Sequence, residues 1–175
     1  MGKVFLKEEE VLQVRELKKM GILRPFSEEE VRGRTKNGGV AILCGDGDID
    51  ARGYHKRVIT NRPHSIMIFG GPIIFAKTFK GYDGGLVDGL ARNMGWGRVA
   101  KETSAKFLYP HWPCGVGGMH GYTMIDVLNL MIEVEQFFKE YSRRVYSFFH
   151  VAKKFADHEE QNTYELFLPE RGVDL

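Results

Sequence analysis

Apolar residues recur along this chain in two rhythms, and the switch between them outlines its elements. Over residues 7–20, Val11, Val14, Leu17 and Met20 are spaced three apart among glutamates and lysines, up to Gly21, which predicts an amphipathic helix. Ser27-Glu28-Glu29-Glu30 has the form of a capping box and predicts a second, short helix. The rhythm then changes. Gly39-Val40-Ala41-Ile42-Leu43-Cys44 is a nearly continuous apolar run, the pattern of a strand buried on both faces. Ser65-Ile66-Met67-Ile68-Phe69 is another, stopped by Gly70-Gly71-Pro72, and Ile73-Ile74-Phe75-Ala76 predicts a further short strand.

Gly84 to Met94 predicts a helix with Leu86, Val87, Leu90 and Ala91 on one face. Ala105 to Tyr109 reads as a strand running into Pro110-His111. Thr123 and Asp126 are placed to cap a long helix whose apolar face is Val127, Leu130, Met131, Val134 and Phe138. Val145–Val151 and Thr163–Leu168 predict two late strands, the second ended by Pro169. Strands alternating with helices imply an α/β fold with a largely parallel central sheet and flanking helices. With no repeat, low-complexity tract or linker, residues 1–175 predict a single α/β domain with an N-terminal helical arm over about 1–36. In such sheets ligands gather beyond the carboxyl ends of the strands, where Cys44 and His111 are both expected.

Composition narrows the function classes. Hydrophobic residues at 43% and charged residues at 27% are those of an ordinary soluble globular protein. A net charge of +2 without a basic run offers no footprint for nucleic acid. The apolar stretches are too short to cross a membrane, so neither a nucleic acid nor a membrane is expected as partner. The opening Met1-Gly2-Lys3-Val4-Phe5-Leu6 leads directly into Lys7-Glu8-Glu9-Glu10, with no signal-peptide pattern, so the expected compartment is the cytoplasm. There, two cysteines are thiols or metal ligands sooner than a structural disulfide.

Those cysteines carry the candidate chemistry. Cys44 ends one strand run and precedes Gly45-Asp46-Gly47-Asp48. Cys114 closes His111-Trp112-Pro113-Cys114 and opens Gly115-Val116-Gly117-Gly118. Two thiols, an imidazole and a nearby carboxylate make a ligand set that suits zinc. The bland alternative is two unrelated buried cysteines and a loop histidine. A thiol enzyme is another, with Cys114 as nucleophile at a helix start and His111 or His120 as base. Calcium is excluded at Asp46-x-Asp48-x-Asp50, because an EF-hand loop needs glycine and glutamate where this chain has Ala51 and Arg57. His120 is a turn residue or a proton shuttle. His55, His64, His150 and His158 lack ligand spacing and read as surface or structural residues. Trp112 and Tyr109 are expected to pack around the site, and Phe137-Phe138 with Phe148-Phe149 suit a subunit interface as well as a core.

Cys44-x-Asp46 after one buried strand and His111-x-x-Cys114 after another resemble the β class of carbonic anhydrases, as does the order of helices and strands from Gly38 onward. The resemblance implies a β-carbonic-anhydrase-like fold and a Zn2+ cofactor held by Cys44, His111 and Cys114. It implies a zinc lyase that reversibly hydrates carbon dioxide to bicarbonate with water activated on the metal. Asp46 becomes a catalytic dyad member or a fourth metal ligand. The family's arginine, which holds that aspartate off zinc, is replaced here by Asp48, and Arg52, a turn further on, is the candidate substitute. The alternatives on the same scaffold are a noncatalytic zinc-binding relative and a hydrolase of carbon disulfide or carbonyl sulfide. A homodimer or higher homo-oligomer is implied as well.

Overall fold

The structure is a computed structural model and describes residues 5–25, 28–34, 39–45, 64–96, 105–154 and 159–169. Helix α1 (Glu8–Lys19) starts where the Glu10 carboxylate accepts a hydrogen bond from the Lys7 backbone N–H at 2.7 Å. It buries Val14 and Leu17, whereas Met20, counted with them in the sequence pattern, is half-exposed beyond the helix end. Gly21, at φ +75°, then turns the chain into the two-residue strand β1 (Leu23–Arg24). Helix α2 (Glu28–Arg34) follows.

Strands β2 (Gly39–Cys44), β3 (His64–Ile68), β4 (Ala105–Tyr109), β5 (His111–Trp112), β6 (Val145–Lys154) and β7 (Glu159–Leu166) join β1 in one mixed sheet of order 1-7-6-4-2-3, with β5 also paired to β6. The pairings of β2 with β3 and β4, and of β6 with β4 and β5, are parallel. Only β7 runs antiparallel to its neighbours β6 and β1. The sheet is therefore mostly parallel, as the alternation of elements predicts, with an antiparallel margin that it did not.

Every residue of β2 and β4 is buried, because both faces of these central strands are covered. On one face Val40, Ile42, Cys44 and Leu108 belong to one cluster with residues of α1 and helix α5 (Met124–Lys139). On the other, Ala41, Leu43, Phe107, Tyr109 and Phe148 form a second cluster with Val31 of α2. Lys106 is 1% exposed, its ammonium pKa pushed down by burial. Helix α5 is the best-specified element of the chain. Thr123 and Asp126 cap it reciprocally, Thr123 N–H to Asp126 Oδ2 at 2.8 Å and Asp126 N–H to Thr123 Oγ1 at 3.2 Å. Its five forecast apolar residues are all buried, each worth about 1.5–3 kcal/mol of transfer free energy.

Two expectations are corrected. Residues 73–76 form no strand: Gly71–Phe75 is a 3-10 turn that buries Ile73, Ile74 and Phe75. Gly70 and Gly71, at φ +85° and +58°, reverse the chain there, and Pro72 has no N–H to give a sheet ladder. The paired phenylalanines contribute to the core of the chain itself, one of the two roles expected of them. Phe138 packs against Phe75 at 4.9 Å, while Phe148 and Phe149 point to opposite faces of β6 and join the two clusters. In helix α3 (Gly84–Trp96) Val87 is buried, but Leu86, forecast on the same face, is 47% exposed. Among the described residues no helix is long and apolar enough to cross a membrane.

Candidate metal centre

Strand order 3-2-4 places β2 where the chain departs to both sides, and a crevice opens beyond the carboxyl ends of parallel strands at such a point. Cys44 is the last residue of β2, paired with Ile68 at the end of β3. Strand β4 ends beside it at Tyr109, and Pro110 hands the chain to β5, which begins with His111. The cis Trp112–Pro113 peptide lies in the turn between His111 and Cys114. Cys114 then caps helix α4 (Gly115–Met119), its Sγ accepting a hydrogen bond from Gly117 N–H at 3.5 Å.

One Sγ from each cysteine and one ring nitrogen of His111 all lie within 4.8 Å of one another. Cys44 and Cys114 are 4% and 5% exposed, and His111 is half-buried with its Nε2 enclosed. A tetrahedral zinc ion, with Zn–S about 2.3 Å and Zn–N about 2.0–2.1 Å, spaces its ligands roughly 3.5 Å apart. The three donors are soft or borderline and close at that scale, so the residues fit such an ion and the group can hold a metal.

The Cys114 thiol is the polarised one. Cys114 has its pKa drawn down to about 5, first by a hydrogen bond from the Cys44 thiol. Burial opposes this, while a hydrogen bond and charge from His111 and the Gly117 N–H add to the lowering. Backbone packs tightly behind the ligands. A Cβ on Gly71 would stand 2.9 Å from the Cys44 backbone nitrogen, at a φ that L-residues rarely adopt. A Cβ on Gly117 would stand 3.2 Å from the Trp112 ring.

Trp112 packs beside the ligands as expected, and its Nε1–H donates to Glu10 Oε1 at 2.7 Å, which ties α1 to the His111–Cys114 turn. Tyr109 does not share that position; it stacks on Phe148 on the opposite sheet face, 5.2 Å between centroids. His120 follows α4, edge-on to Phe79 at 5.0 Å. His150, forecast as surface or structural, is 4% exposed, with Nδ1 2.8 Å from Thr163 Oγ1, and pairs in register with His111. Asp46 and Arg52, the forecast catalytic residues, lie outside the described residues, as do Asp48, His55 and His158. The sequence does not single out Glu10, and it marks His150 only as a surface or structural residue. A first-turn glutamate reads locally only as a helix start, and a histidine within an apolar strand carries no sign of its neighbours.

No protein-family model, curated protein or solved structure matches the chain. The class that fold and site define is thus an α/β protein with a mixed, mostly parallel sheet and a Cys-His-Cys cluster at its carboxyl edge.

Proposed function

We propose that Cys44, His111 and Cys114 bind Zn2+ and that the site reversibly hydrates carbon dioxide, as in the β-class carbonic anhydrases that the two motifs resemble. The observation that carries the reading is the convergence, within 4.8 Å, of three donor side chains from two distant places in the chain, the end of β2 and the His111–Cys114 turn. The element order supports it as well: amphipathic N-terminal helix, strand ending in Cys44, glycine-bounded strand, helix, strand leading to His111-x-x-Cys114, long helix. Bound zinc would supply a water whose pKa falls to about 7.

The residues have distinct tasks in this scheme. Two thiolates and a neutral imidazole would balance the charge of a bound zinc ion, which would make the orientation of the nucleophile important. Asp46 would accept a hydrogen bond from that nucleophile and so orient it toward carbon dioxide. Arg52 is assigned the task of keeping Asp46 off the metal, which its guanidinium fork would suit and which Asp48, as a carboxylate, would not. The substrate rests against the apolar side chains next to the ligands.

Zinc content and stopped-flow carbon dioxide hydration test the proposal together. Wild type is expected to carry one zinc per chain and to be active, and Cys114→Ser to lose both. Arg52→Ala is expected to keep zinc and lose activity. Zinc-loaded wild type inactive from pH 6.5 to 9 would leave the noncatalytic relative, a reading that the aspartate at position 48 favours. Absence of stoichiometric zinc would remove both. Retained zinc with hydrolysis of carbon disulfide or carbonyl sulfide in place of hydration would reassign the substrate. The same reading carries a homodimer or larger assembly, which suits exposed Met67 and Phe69 at the β3 edge. A single 20.0 kDa species in sedimentation would oppose it.

A further inference from the structure

The arrangement that gathers two sulfurs for a metal also gathers them for each other. Cys44 and Cys114 are the only cysteines of the chain, their sulfurs stand within 4.8 Å, and they form no disulfide. A disulfide needs an S–S distance of about 2.05 Å, so the sulfurs must close only part of the space that one ion would fill. Gly45 and Gly115, one next to each cysteine, leave the adjoining backbone free of side chains that would resist this.

We infer that hydrogen peroxide converts Cys44 and Cys114 into an intramolecular disulfide, making the cluster a site of reversible oxidative modification. In the first step one cysteine sulfur, as thiolate, displaces hydroxide from peroxide. The O–O bond breaks, a sulfenic acid forms, and a proton from the medium converts hydroxide to water. In the second step the neighbouring thiol attacks the sulfenic sulfur, the S–S bond forms, and the hydroxyl leaves with the thiol proton as water. The sum is two thiols and one peroxide giving one disulfide and two waters, the peroxide taking both electrons. Starting from a zinc-loaded pair of thiolates, one peroxide and two protons give the disulfide, two waters and free Zn2+. Proximity decides the outcome: the second thiol is already in place, so condensation precedes a second encounter with peroxide, and oxidation stops short of sulfinic acid.

The reaction of the metal-free protein does not depend on the zinc reading; only the ejection of metal does. Metal-free wild type, treated with a small excess of hydrogen peroxide under native conditions, is expected to lose both titratable thiols. It should remain monomeric by nonreducing electrophoresis in denaturant, keep its far-ultraviolet dichroism, and regain both thiols with dithiothreitol. Cys44→Ser is expected to stop at a sulfenic acid on Cys114 that dimedone traps. Zinc-loaded protein should release one zinc per disulfide, read with a chromogenic chelator. Persistence of both thiols, intermolecular disulfides, or sulfinic and sulfonic acids in their place would overturn the inference. A disulfide in a protein that takes up no zinc would uphold it while removing the zinc proposal, and stoichiometric zinc with no disulfide would do the reverse.

Discussion

Cys114 is where opposing forces on one proton are most visible. Burial alone would favour the neutral thiol, yet donors from Cys44, His111 and Gly117 bring its pKa to about 5, well below the ordinary thiol value of about 8.5. The consequence for stability has a definite sign. Between about pH 5 and 8.5 the unfolded chain holds a proton at this position that the folded chain has released, so stability rises with pH. The contribution is lost as pH falls through 5, and its slope is at most about 1.4 kcal/mol per pH unit. Urea unfolding of metal-free wild type and Cys114→Ala across this range would isolate it. The difference between the two proteins is expected to grow with pH, and a constant difference would mean that Cys114 is a thiol throughout. The residue types of this cluster were legible from sequence because two cysteines and a histidine at strand ends are few and chemically specific. Their hydrogen-bonding order was not, since it depends on how β2 and α4 approach each other.

Among the elements, legibility followed locality. Helix α5 declares its caps and its buried stripe within sixteen consecutive residues, so its reading and its structure coincide. The turn over residues 71–75 was misread because an apolar run specifies burial without specifying conformation, and only the positive φ of Gly70 and Gly71 decides. The contact between Glu10 and Trp112 is the extreme case: it joins residues 102 apart, and no local pattern encodes it. That contact has a testable role. One Glu10 oxygen starts α1 through Lys7 N–H while the other holds the indole that packs on Gly117, whose N–H in turn reaches Cys114. Glu10→Ala is expected to weaken cobalt(II) binding roughly tenfold, as loss of outer hydrogen bonds does at metal sites, and to shift the cobalt absorption bands. Glu10→Gln, which keeps an acceptor for the indole, should recover most of the affinity. Unchanged cobalt affinity and spectrum in Glu10→Ala would reduce the contact to a helix anchor.

At the scale of the whole molecule, the three proposed metal ligands would close long loops. Cys44 ends an inner strand of the sheet, next to the edge strand β3, and His111 and Cys114 follow 67 and 70 residues later in a turn that α1 also grips. An ion shared by all three binds the folded arrangement and has no equivalent site in the unfolded chain, so its binding free energy adds to folding stability. At a free zinc concentration one hundred times Kd the gain is about 2.7 kcal/mol. For a chain of this size, each kcal/mol raises Tm by roughly 2–4 °C, so calorimetry should find zinc-loaded protein melting about 5–11 °C above the metal-free form. Magnesium at the same concentration should leave Tm in place, because thiolates and imidazole are poor ligands for a hard cation. The Cys114→Ser variant should melt alike with and without zinc. If zinc moves its Tm as far as that of wild type, the stabilising ion sits elsewhere. A wild type whose Tm ignores zinc would show that the three side chains, though gathered within 4.8 Å, do not act together as ligands.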